Sequence, residues 1–133
     1  MTDNILFNKI VLVAEDNAIN QMVVKHTLLK LGATSDIAGD GTEAIEKFKN
    51  QYYDLILMDI QMPQMDGIEA TRHIREQHDR QPYIIALTAN AMPGDRDACL
   101  SSGMDDYLSK PVNLEILTNT LKRLSAMEVV ERN

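Results

Sequence analysis

Tryptophan is absent from this 133-residue chain, and aromatic residues make up only 5% of it. Ring-stacking platforms are therefore scarce, which speaks against flavin binding. There is one cysteine, Cys99, so no internal disulfide can form, and no Cys/His spacing suggests zinc. His26, His73 and His78 are scattered and read as surface or edge residues. No apolar stretch approaches the length that crosses a bilayer, and the first residues show no basic segment followed by a long apolar run. The expectation is a domain without membrane contact in a reducing, cytoplasmic setting. Positive charge is also short: 13 Lys and Arg stand against 20 Asp and Glu, a formal net charge of −7. Nucleic-acid binding needs a dense Lys/Arg footprint, so no nucleic acid is expected as a partner. The small basic cluster Lys122-Arg123 reads as a solvated helix end. No GxxxxGK[ST] follows the first strand, which removes the P-loop nucleotide reading.

What is present is an ordinary globular balance, 44% apolar and 25% charged, in a length that suits one compact domain. Short apolar runs alternate with helical periods. Residues 9–14 (KIVLVA), 55–58 (LILM) and 83–87 (YIIAL) read as buried strands. Residues 33–38 form a more polar strand, and 106–109 a short fifth one. Between them fall helices over 18–31, stopped by Gly32; over 40–50, with Glu43 placed for a capping box; from Asp66-Gly67 to about 77; and from Pro93 to near Gly103. Asn113 caps a last helix running to about 127. Five β-α repeats with continuous apolar strands call for a parallel sheet covered on both faces. The expected fold is a flavodoxin-like three-layer α/β/α sandwich with strand order 2-1-3-4-5. Residues 1–8 read as a lead-in or linker, 9–127 as the domain and 128–133 as a tail.

Every apolar run ends in polar residues: Glu15-Asp16, Asp59, Thr88, and Ser109-Lys110-Pro111. Open parallel sheets bind ligands at the carboxyl ends of their strands, near the point where the order reverses. Strands 1 and 3 flank that point, so Glu15, Asp16 and Asp59 should converge, with Thr88 and Lys110 approaching from the other side. Converging carboxylates repel one another, and a hard divalent cation is the usual remedy. A lysine facing the cation suits a phosphoryl oxygen, a threonine hydroxyl suits another, and Asp59 is a plausible nucleophile for an aspartyl-phosphate. The plainer alternative for Asp16 or Asn17 is a helix cap.

The segments VAEDN (13–17), LILMDIQMPQMDG (55–67), IIALTA (84–89) and DDYLSKPV (105–112) resemble the receiver domains of two-component response regulators. The resemblance covers about residues 9–126. It implies that Asp59 is phosphorylated from phosphohistidine on a kinase or a histidine phosphotransfer protein. Asp16 and the Gln61 backbone carbonyl would ligate Mg2+ (or Mn2+) beside Asp59, and Glu15 would act through water. Lys110 would bind the phosphoryl group, and Thr88 and Tyr107 would rearrange when it arrives. A cis Lys110–Pro111 bond is implied too. Position 15 is Glu where Asp is also common, which touches only the outer metal shell. The domain would catalyse its own Asp phosphorylation and dephosphorylation without being a turnover enzyme.

QMPQMDG and ALTANAMPGDRDACLSSGMDDYLSKPV look most like receivers attached to hybrid sensor histidine kinases, with Ile5-Leu6-Phe7 as the end of an upstream linker. A free-standing single-domain regulator is the alternative. A dehalogenase-type phosphatase would need a second Asp where Gln61 stands. A pseudo-receiver would not need Glu15, Asp16, Asp59, Thr88 and Lys110 intact. On the first helix, Asn20, Val23, Val24, Thr27, Leu28 and Leu31 share the face expected to cover the sheet. Ile19, Met22, His26 and Leu29 form a second stripe, expected with Val112 to dock the phosphodonor.

Overall fold

A computed structural model describes residues 9–77, 81–89, 93–110 and 112–131. The elements run β1 (Ile10–Ala14), α1 (Ala18–Lys30), β2 (Thr34–Ala38), α2 (Gly41–Asn50), β3 (Leu55–Asp59), α3 (Gly67–Arg75), β4 (Tyr83–Thr88), α4 (Pro93–Ser102), β5 (Asp106–Ser109) and α5 (Leu114–Glu131). All pairings are parallel, and the sheet has the expected order β2-β1-β3-β4-β5. The last helix continues past the expected end near 127 to Glu131, into the expected tail. No glycine or proline stands between 114 and 131 to stop it. The lead-in residues 1–8, His78 and Pro111, with its expected cis bond, lie outside the described residues.

Strand periodicity sorts the core into two layers. Val11, Val13, Leu55, Leu57, Ile85, Leu87 and Leu108 face α1 and α5, meeting Val24, Leu28, Leu117 and Leu121. Leu12, Ile56, Met58, Ile84 and Ala86 face the other helices, meeting Ala44 and Phe48 on α2, Ala70 and Ile74 on α3, and Cys99 on α4. Alternate residues on a strand point to opposite faces, so a strand buried on both needs an unbroken apolar run. β3 is buried at every position, whereas the edge strand β2 is buried only at Ala38.

The helix starts follow local chemistry. Asn17, Asp40 and Asp66 each cap a helix by accepting from the backbone N–H three residues on. Glu43 Oε1 accepts from the Gly39 N–H at 2.6 Å, one residue ahead of the cap, a variant of the expected box. Asn113 Oδ1 accepts from the Glu115 and Ile116 N–H groups. Gly32 and Gly103 take positive φ just past the ends of α1 and α4, the conformation that ends a helix most cheaply with glycine.

Candidate functional site

Ladder bonds continue past the strand ends and fix the backbone of the polar residues there. Glu15 N–H donates to Ala38 O at 2.9 Å, Ile60 N–H to Leu87 O at 3.1 Å, and Lys110 N–H to Thr88 O at 2.8 Å. Strand alternation then decides which way the side chains go. Glu15 continues the Val11-Val13 series, Asp59 the Leu55-Leu57 series, and Lys110 follows Leu108, so all three extend the α1/α5 side of the sheet. Thr88 follows Ala86, and Tyr107 packs with the second layer, so this pair belongs to the α4 side.

Lys110 Nζ lies 2.7 Å from Asp59 Oδ2 and 2.8 Å from Glu15 Oε2. Glu15 is fully buried and Asp59 nearly so. Asp16 is exposed, yet Glu15, Asp16 and Asp59 each bring an oxygen into one group whose atoms lie within 4.8 Å of one another. Asn17, not Asp16, caps α1, so the helix leaves the Asp16 carboxylate to the cluster. The Gln61 N–H donates to Asp59 Oδ1 at 3.0 Å. Thr88 is buried at the end of β4. Tyr107 is half-buried, and its ring lies 5.6 Å from the Arg96 guanidinium on α4, within cation–π range.

Burial pushes the Asp59 carboxyl up to about 6; the Lys110 hydrogen bond opposes this, and the neighbouring Glu15 carboxylate adds to it. Burial would raise Glu15 as well. There the Lys110 ammonium, the neighbouring Asp59 and the hydrogen bond from Asn20 win, and the group sits below the ordinary carboxylate range. Burial works to lower the Lys110 ammonium, but its bonds to Asp59 and Glu15 hold it above its ordinary value. The cluster therefore gathers three carboxylates and one ammonium and carries surplus negative charge, with Asp16 at its exposed side. Hard oxygen donors in that surplus suit a magnesium-sized divalent ion. Among the described residues, Glu15 Oε2 meets Lys110 as an ion contact without a well-formed hydrogen bond, so it retains acceptor capacity.

The loop from β3 to α3 is folded back by a tight turn. Met65 N–H donates to Pro63 O at 2.7 Å across Gln64, which takes φ 67°, a strained conformation for a non-glycine residue. The return brings Gly67 against the Asp59 backbone. A Cβ on Gly67 would stand 2.2 Å from Asp59 O, and one on Gly41 would stand 2.4 Å from Met65 O. Both glycines are needed for close approach, and Gly67 sets how near α3 comes to the phosphoacceptor candidate. The expected convergence of Glu15, Asp16, Asp59 and Lys110 is found, with Thr88 one strand away. Not anticipated were the bonds from α1 to Glu15, the Arg96–Tyr107 contact and the Gly67 approach. Of these, only the first left a mark in the sequence, as the polar Asn20 on a helix face otherwise expected to cover the sheet.

A five-stranded parallel sheet of this order is the flavodoxin-like α/β/α fold, here with an acid cluster and a lysine at its carboxyl edge. Residues 11–122 match the response regulator receiver domain family, and the chain belongs to it. It is 46% identical to the receiver domain of sensor histidine kinase PA1611 of Pseudomonas aeruginosa PAO1, which has a magnesium ion coordinated in its active site cleft. That likeness has a TM-score of 0.80 and covers 86% of this chain and 95% of the other. It is 36% identical, with a TM-score of 0.80 over 90% of each chain, to a chain of the complex between the Saccharomyces cerevisiae histidine phosphotransfer protein Ypd1 and the receiver domain of Ssk1. Hybrid signal transduction histidine kinase K of Dictyostelium discoideum is 40% identical over 131 residues, which is 92% of this chain and 11% of that protein. The chain spans about a tenth of the length of the curated relatives it matches.

Proposed function

We propose that this chain is the phosphoacceptor of a two-component phosphorelay, taking a phosphoryl group from phosphohistidine onto Asp59. The observation that carries the reading is the placement of Lys110 Nζ between buried Asp59 and Glu15, beside Asp16. An Asp59 oxygen attacks phosphorus; the new P–O bond forms as the P–N bond to histidine breaks. The imidazole leaves with the bonding pair and takes a proton from solvent. Lys110 passes from the Asp59 carboxylate to a phosphoryl oxygen, where its point charge offsets the charge gained. Asp16, Asp59 and the Gln61 carbonyl would hold magnesium, or manganese in its place, with Glu15 acting through water. The metal would supply charge neutralisation at the phosphoryl group. The test is mass spectrometry after exposure to a small acyl phosphate: one phosphoryl group should be gained, and only with the divalent ion present.

The receiver unit is assigned to residues 9–127, and its parent to a hybrid sensor histidine kinase acting in the cytoplasm. Likeness to segments of hybrid kinases supports this over a free-standing regulator. The described helices include none long and apolar enough to cross a membrane.

The partner is a histidine kinase or histidine phosphotransfer protein, docking on α1. Ile19 is 72% exposed, Met22 73% and Leu29 57%, and His26 is exposed beside them. Val23, expected under the helix, is itself 43% exposed at the margin of this stripe. Val23 and half-buried Val112 line a cavity of about 30 Å³ that reaches Glu15 and Lys110, so the stripe adjoins the chemistry. Met22→Glu should slow transfer from the protein donor several-fold and leave labelling by a small acyl phosphate unchanged. Equal slowing with both donors would place the defect in the fold or the chemistry.

The switch is assigned to Thr88 and Tyr107, which share the α4 side of the sheet. Phosphorylation draws the Thr88 hydroxyl toward Asp59, and the Tyr107 ring then moves from its place under Arg96. Thr88→Ala should still take up phosphate but leave the Tyr107 resonances largely unshifted. Identical shifts in wild type and Thr88→Ala on phosphorylation would end this idea.

A further inference from the structure

The first turn of α1 holds Glu15 at three points. Asn20 Nδ2 donates to Glu15 Oε1 at 3.0 Å, the Asn17 N–H donates to the same oxygen at 3.3 Å, and Gln21 Nε2 donates to the Glu15 main-chain oxygen at 2.6 Å. The first two bonds occupy Oε1 and leave Oε2 turned toward Lys110, 2.8 Å away. A glutamate has one more rotatable bond than an aspartate. At the end of β1 it therefore reaches a fixed place only if something restrains its head group.

We infer that Asn20 is a positioning residue, which fixes the Glu15 carboxylate and thereby sets the outer side of the cation site. This rests on the receiver reading above. Asn20 is only half-buried and its backbone N–H is satisfied by the Asn17 cap, so its side chain is not needed to start the helix. Its amide is spent on one buried acceptor. Groups that orient metal-site carboxylates commonly govern affinity by about tenfold or more.

The experiment is a cycle of four versions of this chain: wild type, Asn20→Ala, Glu15→Asp and the double variant. Magnesium affinity is read from amide chemical shifts, and the magnesium dependence of labelling by a small acyl phosphate is read in parallel. Asn20→Ala should weaken magnesium about tenfold and raise the magnesium needed for half-maximal labelling, with the saturating rate kept. In the Glu15→Asp background the shorter side chain withdraws from Asn20, so removing the amide should change little. Unaltered magnesium affinity in Asn20→Ala overturns the inference. So does an equal loss in both backgrounds, which would mean that Asn20 acts on the helix and not through Glu15. Should Asn20→Ala not fold, Asn20→Ser carries the same comparison. A wild type that neither binds magnesium nor takes up phosphate would instead sink the receiver reading itself.

Discussion

Asp59→Asn should take up essentially no phosphoryl group from a small acyl phosphate under conditions that label the wild type fully. An amide keeps the size and shape of the carboxylate, and its oxygen can still accept from the Gln61 N–H, which donates at 3.0 Å in the wild type. What it loses is nucleophilicity and one of the charges that hold the cation. Lys110 keeps its contact with Glu15 at 2.8 Å, so the ammonium is not stranded. The fold should therefore survive, with an unchanged far-ultraviolet spectrum. Two other aspartates serve as controls. Asp54 Oδ2 accepts from the Ile10 N–H at the opposite edge of the sheet, and Asp66 caps α3 by accepting from the Glu69 N–H. Their Asn variants keep an acceptor oxygen in the same place, so they should hold their stability to within about 1 kcal/mol and label normally. Full labelling of Asp59→Asn, or loss confined to Asp66→Asn, would reject the assignment.

That prediction was reachable from the sequence because period-two alternation carries a long way. Once 11–14, 55–59 and 83–88 are strands of one parallel sheet, the residues after them must lie at one edge. The parity of Val13 and Leu57 then sends Glu15 and Asp59 to the same face. Helix caps were legible for a similar reason: Asn17, Asp40, Asp66 and Asn113 answer a local need for an acceptor three residues or fewer from the free N–H groups. Nothing in that logic needs a distant residue.

Contacts that close over a distance were not legible. Arg75 at the end of α3 donates to Gly103 O and Pro82 O and pairs with Asp105 at 2.9 Å, tying α3 to the starts of β4 and β5. A basic residue in the last turn of a helix is an ordinary complement to its dipole, so the sequence offers no reason to expect this reach. Arg123 stays exposed, as expected of it, but also pairs with Asp106 on β5, a contact that nothing in the sequence foretells. The Gln64 turn belongs to the same group. A positive φ at a glutamine follows from the need to bring Gly67 onto Asp59, and not from the preference of the residue itself.

Magnesium should raise the melting point of the unphosphorylated domain markedly, and Asp16→Asn should remove most of that gain. Two like charges about 4 Å apart cost roughly 4 kcal/mol at an effective dielectric of 20, and Glu15, Asp16 and Asp59 bring oxygens within 4.8 Å of one another. Lys110 offsets this only in part, since Asp59 is still pushed from 3.8 up to about 6 by burial and by Glu15. A raised carboxyl binds its proton more tightly folded than unfolded. Its contribution is present in full below about 3.8 and is lost as the pH rises through 6. Glu15, held low, works in the other sense and weakens the fold as the pH falls through its own lowered value. At neutral pH the metal-free domain therefore carries an ionised Asp59 at a cost. A cation that binds only the folded cluster reverses this, by about 2.7 kcal/mol at a hundredfold excess over its dissociation constant. The gain should be largest above pH 6 and shrink toward pH 5, where Asp59 takes up a proton instead. Asp16 is exposed and does not cap α1, so replacing it disturbs no packing. Asp16→Asn should melt higher than wild type without metal and respond weakly to it. Melting curves at pH 5 and 7.5, with and without magnesium, measure all of this. A wild-type melting point indifferent to magnesium at pH 7.5, or an Asp16→Asn protein that responds as strongly as wild type, would count against the cation site.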